Sequence, residues 1–167
     1  MSNLPEMVSY FNQETRISLM VPQDWTGSAI DSSKFRIFGL PEPGFEEYFD
    51  EYRATMSYEL DKPDSYGEEW FHQLVAQNNE NMSQDYNNYH LVDESYKEVA
   101  NSMAYIKHYS WTEETTGLTL SQMQSLILPS PYALYIVNAA VIQSLELKYM
   151  PIFDAILNST RIIPKKT

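Results

Sequence analysis

Three groups of side chains in this 167-residue chain have types suited to chemistry. The first is a set of paired carboxylates: Glu46/Glu47, Asp50/Glu51 and Glu68/Glu69. Two acids held across a pocket can act as general acid and base, as in glycoside cleavage. Adjacent acids on a helix, however, point in different directions, and nothing in the sequence fixes their separation. The plainer reading is a solvated face. The last pair also has a capping explanation, because Ser65-Tyr66-Gly67-Glu68 matches a capping box.

The second group is the histidines. His72, His90 and His108 fall one to an element, eighteen residues apart. A metal site needs ligands at closer spacing, such as i, i+4 on a helix. Each is therefore expected to be a structural histidine with satisfied hydrogen bonds, and no metal or other cofactor is implied. There is no cysteine, which removes disulfides, thiolate metal sites and thiol catalysis together. No Gly-x-Ser-x-Gly elbow, GxGxxG turn or phosphate loop is present, so no catalytic residue is assigned.

The third group is Pro41–Tyr52, PEPGFEEYFDEY. Phe45, Tyr48, Phe49 and Tyr52 stand at i, i+3, i+4 and i+7, one face of a helix. Glu46, Glu47, Asp50 and Glu51 make up the other face. Either a short helix or a compact loop fits. From Glu42 to Glu69 ten acids face two bases, which concentrates −8 of the total −12 charge. Aromatic anchors among like charges fit a surface for a basic or apolar protein partner. The competing reading is a loop that tucks its rings onto the core. Residues 45–52 are the candidate partner-binding site.

The overall charge bounds the partners. A net −12 argues against nucleic acid, which requires a lysine/arginine patch, and against anionic lipid. No run approaches the ~18 apolar residues of a membrane span. The start, MSNLPEMVSYFNQ, shows no signal peptide, so the cytoplasm is the expected setting. A leader removed beforehand would leave no trace. Oligomeric state stays open, with a dimer among the options.

Most of the elements that position these residues follow from periodicity. Met7–Asn12 and Arg16–Val21 form a hairpin, the second strand alternating in period two. Trp25 sits in a turn at the end of the core. Gly27–Ser33 is small and polar, a loop. Phe35–Leu40 and Arg53–Leu60 are strands. A helix begins at the capping box, carries Trp70, Phe71, Leu74, Val75 and Met82 on one stripe, and frays over Asn78–Asn88. His90–Val99 and Met103–Thr112 are strands. Leu118–Ala140 is a central apolar hairpin broken at Pro129-Ser130-Pro131, covered on both faces. Leu145–Thr160 is a helix with Pro151 in or near its first turn. A short basic tail ends the chain. The result is one α+β domain over 1–167: a mostly antiparallel sheet flanked by two or three helices.

This chain resembles the PsbP-like superfamily, whose members include a photosystem II accessory protein, a Ran guanine-nucleotide-release factor and DcrB-like bacterial proteins. Some of the bacterial members are chaperones for type VI secretion effectors. The residues that carry the resemblance are Phe11, Ile17, Leu19, Val21, Pro22 and Trp25 near the start, and Tyr149, Pro151, Phe153, Ile156, Leu157 and Ser159 near the end. The resemblance implies an α/β/α sandwich and a non-enzymatic, protein-binding role as accessory factor, chaperone or adaptor. It transfers no site residue by residue. A PsbP-type accessory protein of the photosynthetic membrane is the alternative, and a small carboxylate-dependent hydrolase the second alternative.

Overall fold

Residues 4–130 and 133–164 are described by a computed structural model. Among these described residues ten strands form two antiparallel sheets. The smaller has the order β1-β2-β10, from Met7–Asn12 (β1), Ile17–Pro22 (β2) and Arg161–Ile162 (β10). The larger has seven strands in the order β3-β4-β5-β9-β8-β7-β6. These are Thr26–Asp31 (β3), Lys34–Phe38 (β4), Thr55–Asp61 (β5), His90–Val99 (β6), Ser102–Thr112 (β7), Thr119–Ser130 (β8) and Ala133–Ile142 (β9). Helix α1 is Glu68–Asp85 and α2 is Glu146–Asn158, the latter entered through a 3-10 turn at Gln143–Leu145. The fold is α+β, as the periodicity predicts.

The central hairpin lies in the middle of the large sheet and is buried on both faces, which explains why its strands barely alternate. On one face Met123, Ile127, Tyr135, Val137, Ala139 and Val141 pack against β2 and α2. On the other, Leu126 and Leu134 join Tyr105 beneath Phe71 and Val75 of α1. Trp25, just before β3, closes one end of the main core against Tyr149 and Phe153, at ring distances of 6.2 Å each.

Helix α1 spans β7, β8 and β9 but not β4 and β5. The register sets Phe38, Thr55 and Ala140 side by side in one cross-strand row. Their neighbours in sequence, Ile37, Met56 and Ala139, face the main core. This row therefore lies on the α1 side of the sheet, beyond the helix, and is only half-buried.

Several local expectations change. Gly27–Ser33 is not a loop. Thr26–Asp31 is an edge strand whose side chains are all exposed, so it has no alternation to read, and pairing with β4 creates it. The capping box does not form: Gly67 is the N-cap, with φ 102°, and no side chain caps the helix. The polar stretch from Asn78 does not fray but continues α1 to Asp85. Its amides are used, with Asn78 donating to Gln124 at 2.7 Å and Asn79 to Tyr105 at 2.8 Å. Pro151 falls in the second turn of α2, because the helix starts at Glu146. The tail is partly β10, which pairs with β2. Pro131, one of the two prolines of the central break, lies outside the described residues, as do 165–167 of the tail.

Candidate functional site

The 41–52 segment leaves β4 and returns to β5, and backbone bonds draw its ends together. Gly39 N–H donates to Ala54 at 3.0 Å and Glu42 N–H to Tyr52 at 2.8 Å. Inside this closure there is no helix. One helical turn is present, where the Phe45 carbonyl accepts from the amides of Tyr48 and Phe49, each at 3.0 Å. The Glu46 carboxylate accepts from the Gly44 amide at 2.9 Å. Gly44 has φ 101°, a conformation glycine adopts without cost. The segment is the compact loop of the two forms the sequence allows.

The aromatic residues divide accordingly. Phe45 and Phe49 pack on Tyr52, with ring centroids at 5.2 and 5.3 Å, and all three are half-buried. Tyr48 stays 42% exposed. Tyr52 accepts the amide of Ile142 at 2.6 Å and so ties the loop to β9.

The acids divide as well. Glu42 accepts from Lys148 Nζ at 2.6 Å and from the Tyr149 hydroxyl, which joins the loop to α2. Glu51 binds Arg53, whose guanidinium also donates to the Gly39 carbonyl at 2.9 Å. Glu46 serves its own loop, and backbone amides lower its pKa. Glu47 and Asp50 are exposed and make no hydrogen bond or ion pair among the described residues. Of the eight candidate residues, Glu47 and Asp50 are turned to solvent with nothing structural to hold, and Tyr48 is exposed with its ring tilted against the Phe49 ring, centroids 6.5 Å apart.

Beside the loop lies a cleft of about 420 Å³. Its floor is the half-buried row of Phe38, Thr55 and Ala140 with Leu120, and Phe49 and Tyr52 form one wall. Arg53, Glu51 and Glu113 stand at its polar edges. Sequence reasoning misses Phe38, Thr55, Leu120 and Ala140, which come from four strands that only the register brings together. Glu51 and Glu113 are the two acids of this cleft, and neither is free. Glu113 accepts from the amides of Thr115 and Thr116 at 2.9 and 2.7 Å. With the Thr116 hydroxyl, these bonds lower its pKa to about 2, so it is an anion at neutral pH and not a proton donor.

The remaining chemistry-bearing residues lie elsewhere. Glu68 faces His72 at 3.5 Å rather than capping α1, and His72 Nδ1 lies 3.0 Å from the Tyr96 hydroxyl. His108 is held between Asp93 on β6 at 2.7 Å and Asp154 on α2 at 3.0 Å. Those carboxylates raise its pKa to about 9, Asp154 contributing most, so it is an imidazolium at neutral pH. His72 and His108 are thus satisfied. The His90 side chain is exposed and makes no hydrogen bond or ion pair among the described residues, against expectation. Among the described residues no group of three or more His, Cys, Asp or Glu is placed to hold a metal ion.

No protein-family model and no curated protein sequence matches the chain. Solved structures do. PA94 of Pseudomonas aeruginosa superposes with a TM-score of 0.62 at 20% identity, over 97% of this chain and 99% of its own. The cyanobacterial PsbP (CyanoP) of Synechocystis gives 0.58 at 10% identity, over 96% and 95%. The Ran-binding protein Mog1p of Saccharomyces cerevisiae gives 0.58 at 8%, over 95% and 96%. At such identities the likeness speaks of architecture alone, and the architecture of this chain is the PsbP-like fold.

Proposed function

We propose that this chain is a non-enzymatic accessory factor, of the adaptor or chaperone kind, that acts as one domain and docks a basic protein on its 41–52 loop. The observation that carries this reading is the division of labour in the loop. Glu42, Glu46, Glu51, Phe45, Phe49 and Tyr52 hold it in shape, while Glu47 and Asp50 are left outward with no structural task and Tyr48, resting on Phe49, stays exposed. A pinned loop that presents one exposed aromatic between two free carboxylates suits recognition, because little order is lost when a partner docks. That the similar fold of Mog1p belongs to a Ran-binding protein fits a protein partner in general terms. The hydrolase alternative loses ground, since both acids of the cleft are committed to Arg53 and to the 113–117 turn. No helix among the described residues is long and apolar enough to cross a membrane, and a cytoplasmic setting belongs to the same proposal.

The test is site-specific photocrosslinking in the native host. A benzoylphenylalanine at position 48 is compared with one at Leu147, which is 91% exposed on α2. The expected result is an adduct with a basic protein at position 48 only, lost when Glu47→Lys and Asp50→Lys are combined. Equal adducts at both positions, or adducts indifferent to charge reversal, would refute the proposal.

A further inference from the structure

Two hollows share one wall at the 41–52 loop. The 420 Å³ cleft and a smaller hollow of about 210 Å³ both use Phe49, Glu51 and Tyr52. Their linings differ in charge. The larger is floored by Phe38, Leu120 and Ala140. The smaller sets four acids, Glu42, Glu46, Asp50 and Glu51, among prolines and the Phe45, Phe49 and Tyr52 rings; Glu42, Glu46 and Glu51 are already bonded to Lys148, the Gly44 amide and Arg53, and Asp50 is unpaired among the described residues. An apolar hollow next to an anionic one is a complementary mould for an apolar group beside a cation.

Both hollows are fixed before anything binds. Tyr52 is held by the Ile142 amide and the opposite rim by the Glu113 turn, where the Gly117 amide also donates to the Glu113 carbonyl at 2.8 Å. The open strip of sheet exists because α1 covers β7 to β9 and leaves β4 and β5 bare. A volume of 420 Å³ exceeds one side chain and lies in the range of preformed ligand sites, about 300–1,000 Å³.

We propose that the cleft is the anchor pocket for the partner of the 41–52 loop. It takes a bulky apolar side chain of an extended peptide segment, with a lysine or arginine next to it seated in the acidic hollow. This rests on the reading of the loop as a docking surface and specifies what docks. Successive residues of an extended segment advance about 3.3 Å and point to opposite sides. Side chains one or two positions apart can therefore straddle the Phe49 ring.

The probe is a fluorescein-labelled peptide, Lys-Lys-Phe-Leu-Lys-Lys, acetylated and amidated, followed by fluorescence anisotropy. Two companions replace Phe-Leu by Gly-Gly, or every lysine by glutamate. Thr55→Trp fills the cleft from its floor, and the double reversal Glu47→Lys with Asp50→Lys alters the loop and, through Asp50, the acidic hollow, but not the cleft. The expected result is saturable binding weakened at least about tenfold by Thr55→Trp, by the Gly-Gly replacement and by the glutamate peptide. Binding that falls with loop charge reversal but ignores both Thr55→Trp and the Gly-Gly replacement overturns the anchor pocket and leaves the docking loop standing. Binding that ignores all of these changes, or no binding, overturns the anchor pocket, and indifference to loop charge counts against the loop as well. Should Thr55→Trp fail to fold, amide shifts in the unaltered protein decide. Peptide-induced shifts at Thr55, Leu120 and Ala140 support the pocket, and shifts confined to the loop overturn it.

Discussion

The amide of Ile142, at the end of β9, donates to the hydroxyl oxygen of Tyr52 across ninety residues of sequence, at 2.6 Å. Ile142 is 4% exposed, so water cannot readily replace that acceptor. Burial pushes the Tyr52 phenol up to about 12, keeping it neutral throughout the physiological range. Tyr52→Phe keeps the ring packing against Phe45 and Phe49 and removes only the oxygen. The buried amide is then unsatisfied, and the expected cost is about 1–3 kcal/mol. Urea unfolding should show a lower midpoint with an unchanged slope. An unchanged midpoint would mean that the loop is not fastened to β9 by this bond.

Gly67 precedes α1 with φ 102°, a region where an L side chain is strained. A Cβ built there meets nothing within 4 Å, so the strain is purely backbone. Gly67→Ala should therefore cost about 1–2 kcal/mol. Ser65→Ala should change stability by less than about 0.5 kcal/mol, because its hydroxyl caps nothing. Melts giving the reverse order would restore the capping box.

What could be read from the sequence depended on whether a residue's neighbours in space were also its neighbours in the chain. The β1–β2 hairpin and the central hairpin are written in local periodicity and Pro/Gly punctuation, and both pair as read, although β8 runs through Pro129 and Ser130 instead of breaking there. Strand β3 carries no such signal, because none of its side chains is buried. The polar half of α1 reads as fraying, since the sequence does not show that Asn78 and Asn79 meet Gln124 and Tyr105. The 41–52 loop is legible as an unusual aromatic and acidic stretch. The difference between Glu46, turned back to Gly44, and Glu47, turned outward, is not, because it depends on the path of the loop.

His108 joins three elements, since its strand β7 lies between Asp93 on β6 and Asp154 on α2. Its folded pKa is raised to about 9 from an ordinary value near 6.5, mainly by Asp154 and against an opposing effect of burial. A raised folded pKa means that the native state holds the proton more tightly. The contribution is thus complete below about pH 6.5 and disappears as pH rises through about 9. With the ring 22% exposed, the difference should be about 1–3 kcal/mol. His108→Asn should remove this slope, so that wild type and variant converge above about pH 9. Parallel stability curves from pH 6 to 10 would show that the triad stores no proton-linked stability.

Lys107 is the next residue on β7, points to the opposite face and should show the opposite sign. It is fully buried beneath α1, with Nζ 2.7 Å from Asn79 Oδ1, 2.9 Å from Met82 Sδ and 3.2 Å from the Tyr89 hydroxyl. The rings of Tyr89 and Tyr109 lie 5.3 and 5.0 Å away. No carboxylate among the described residues touches the ammonium. The nearest acid in the network, Glu94 on β6, accepts the Tyr105 hydroxyl and acts on the lysine only at longer range. Burial therefore dominates and lowers the pKa to about 8. A lowered lysine pKa means that the native state gives up its proton more readily than the unfolded chain. The penalty is complete below about pH 8 and is relieved as pH rises towards about 10.5. Lys107→Met keeps the length and bulk, removes the charge and leaves no carboxylate without its partner. Wild type should gain about 1–3 kcal/mol on this variant between pH 8 and 10.5. The slopes of His108 and of tyrosines remote from Lys107, such as Tyr58, are common to both proteins and cancel in the difference. Urea midpoints measured in pairs across that window give the answer. A constant difference would mean that the ammonium reaches solvent, and α1 would then not seal this part of the sheet.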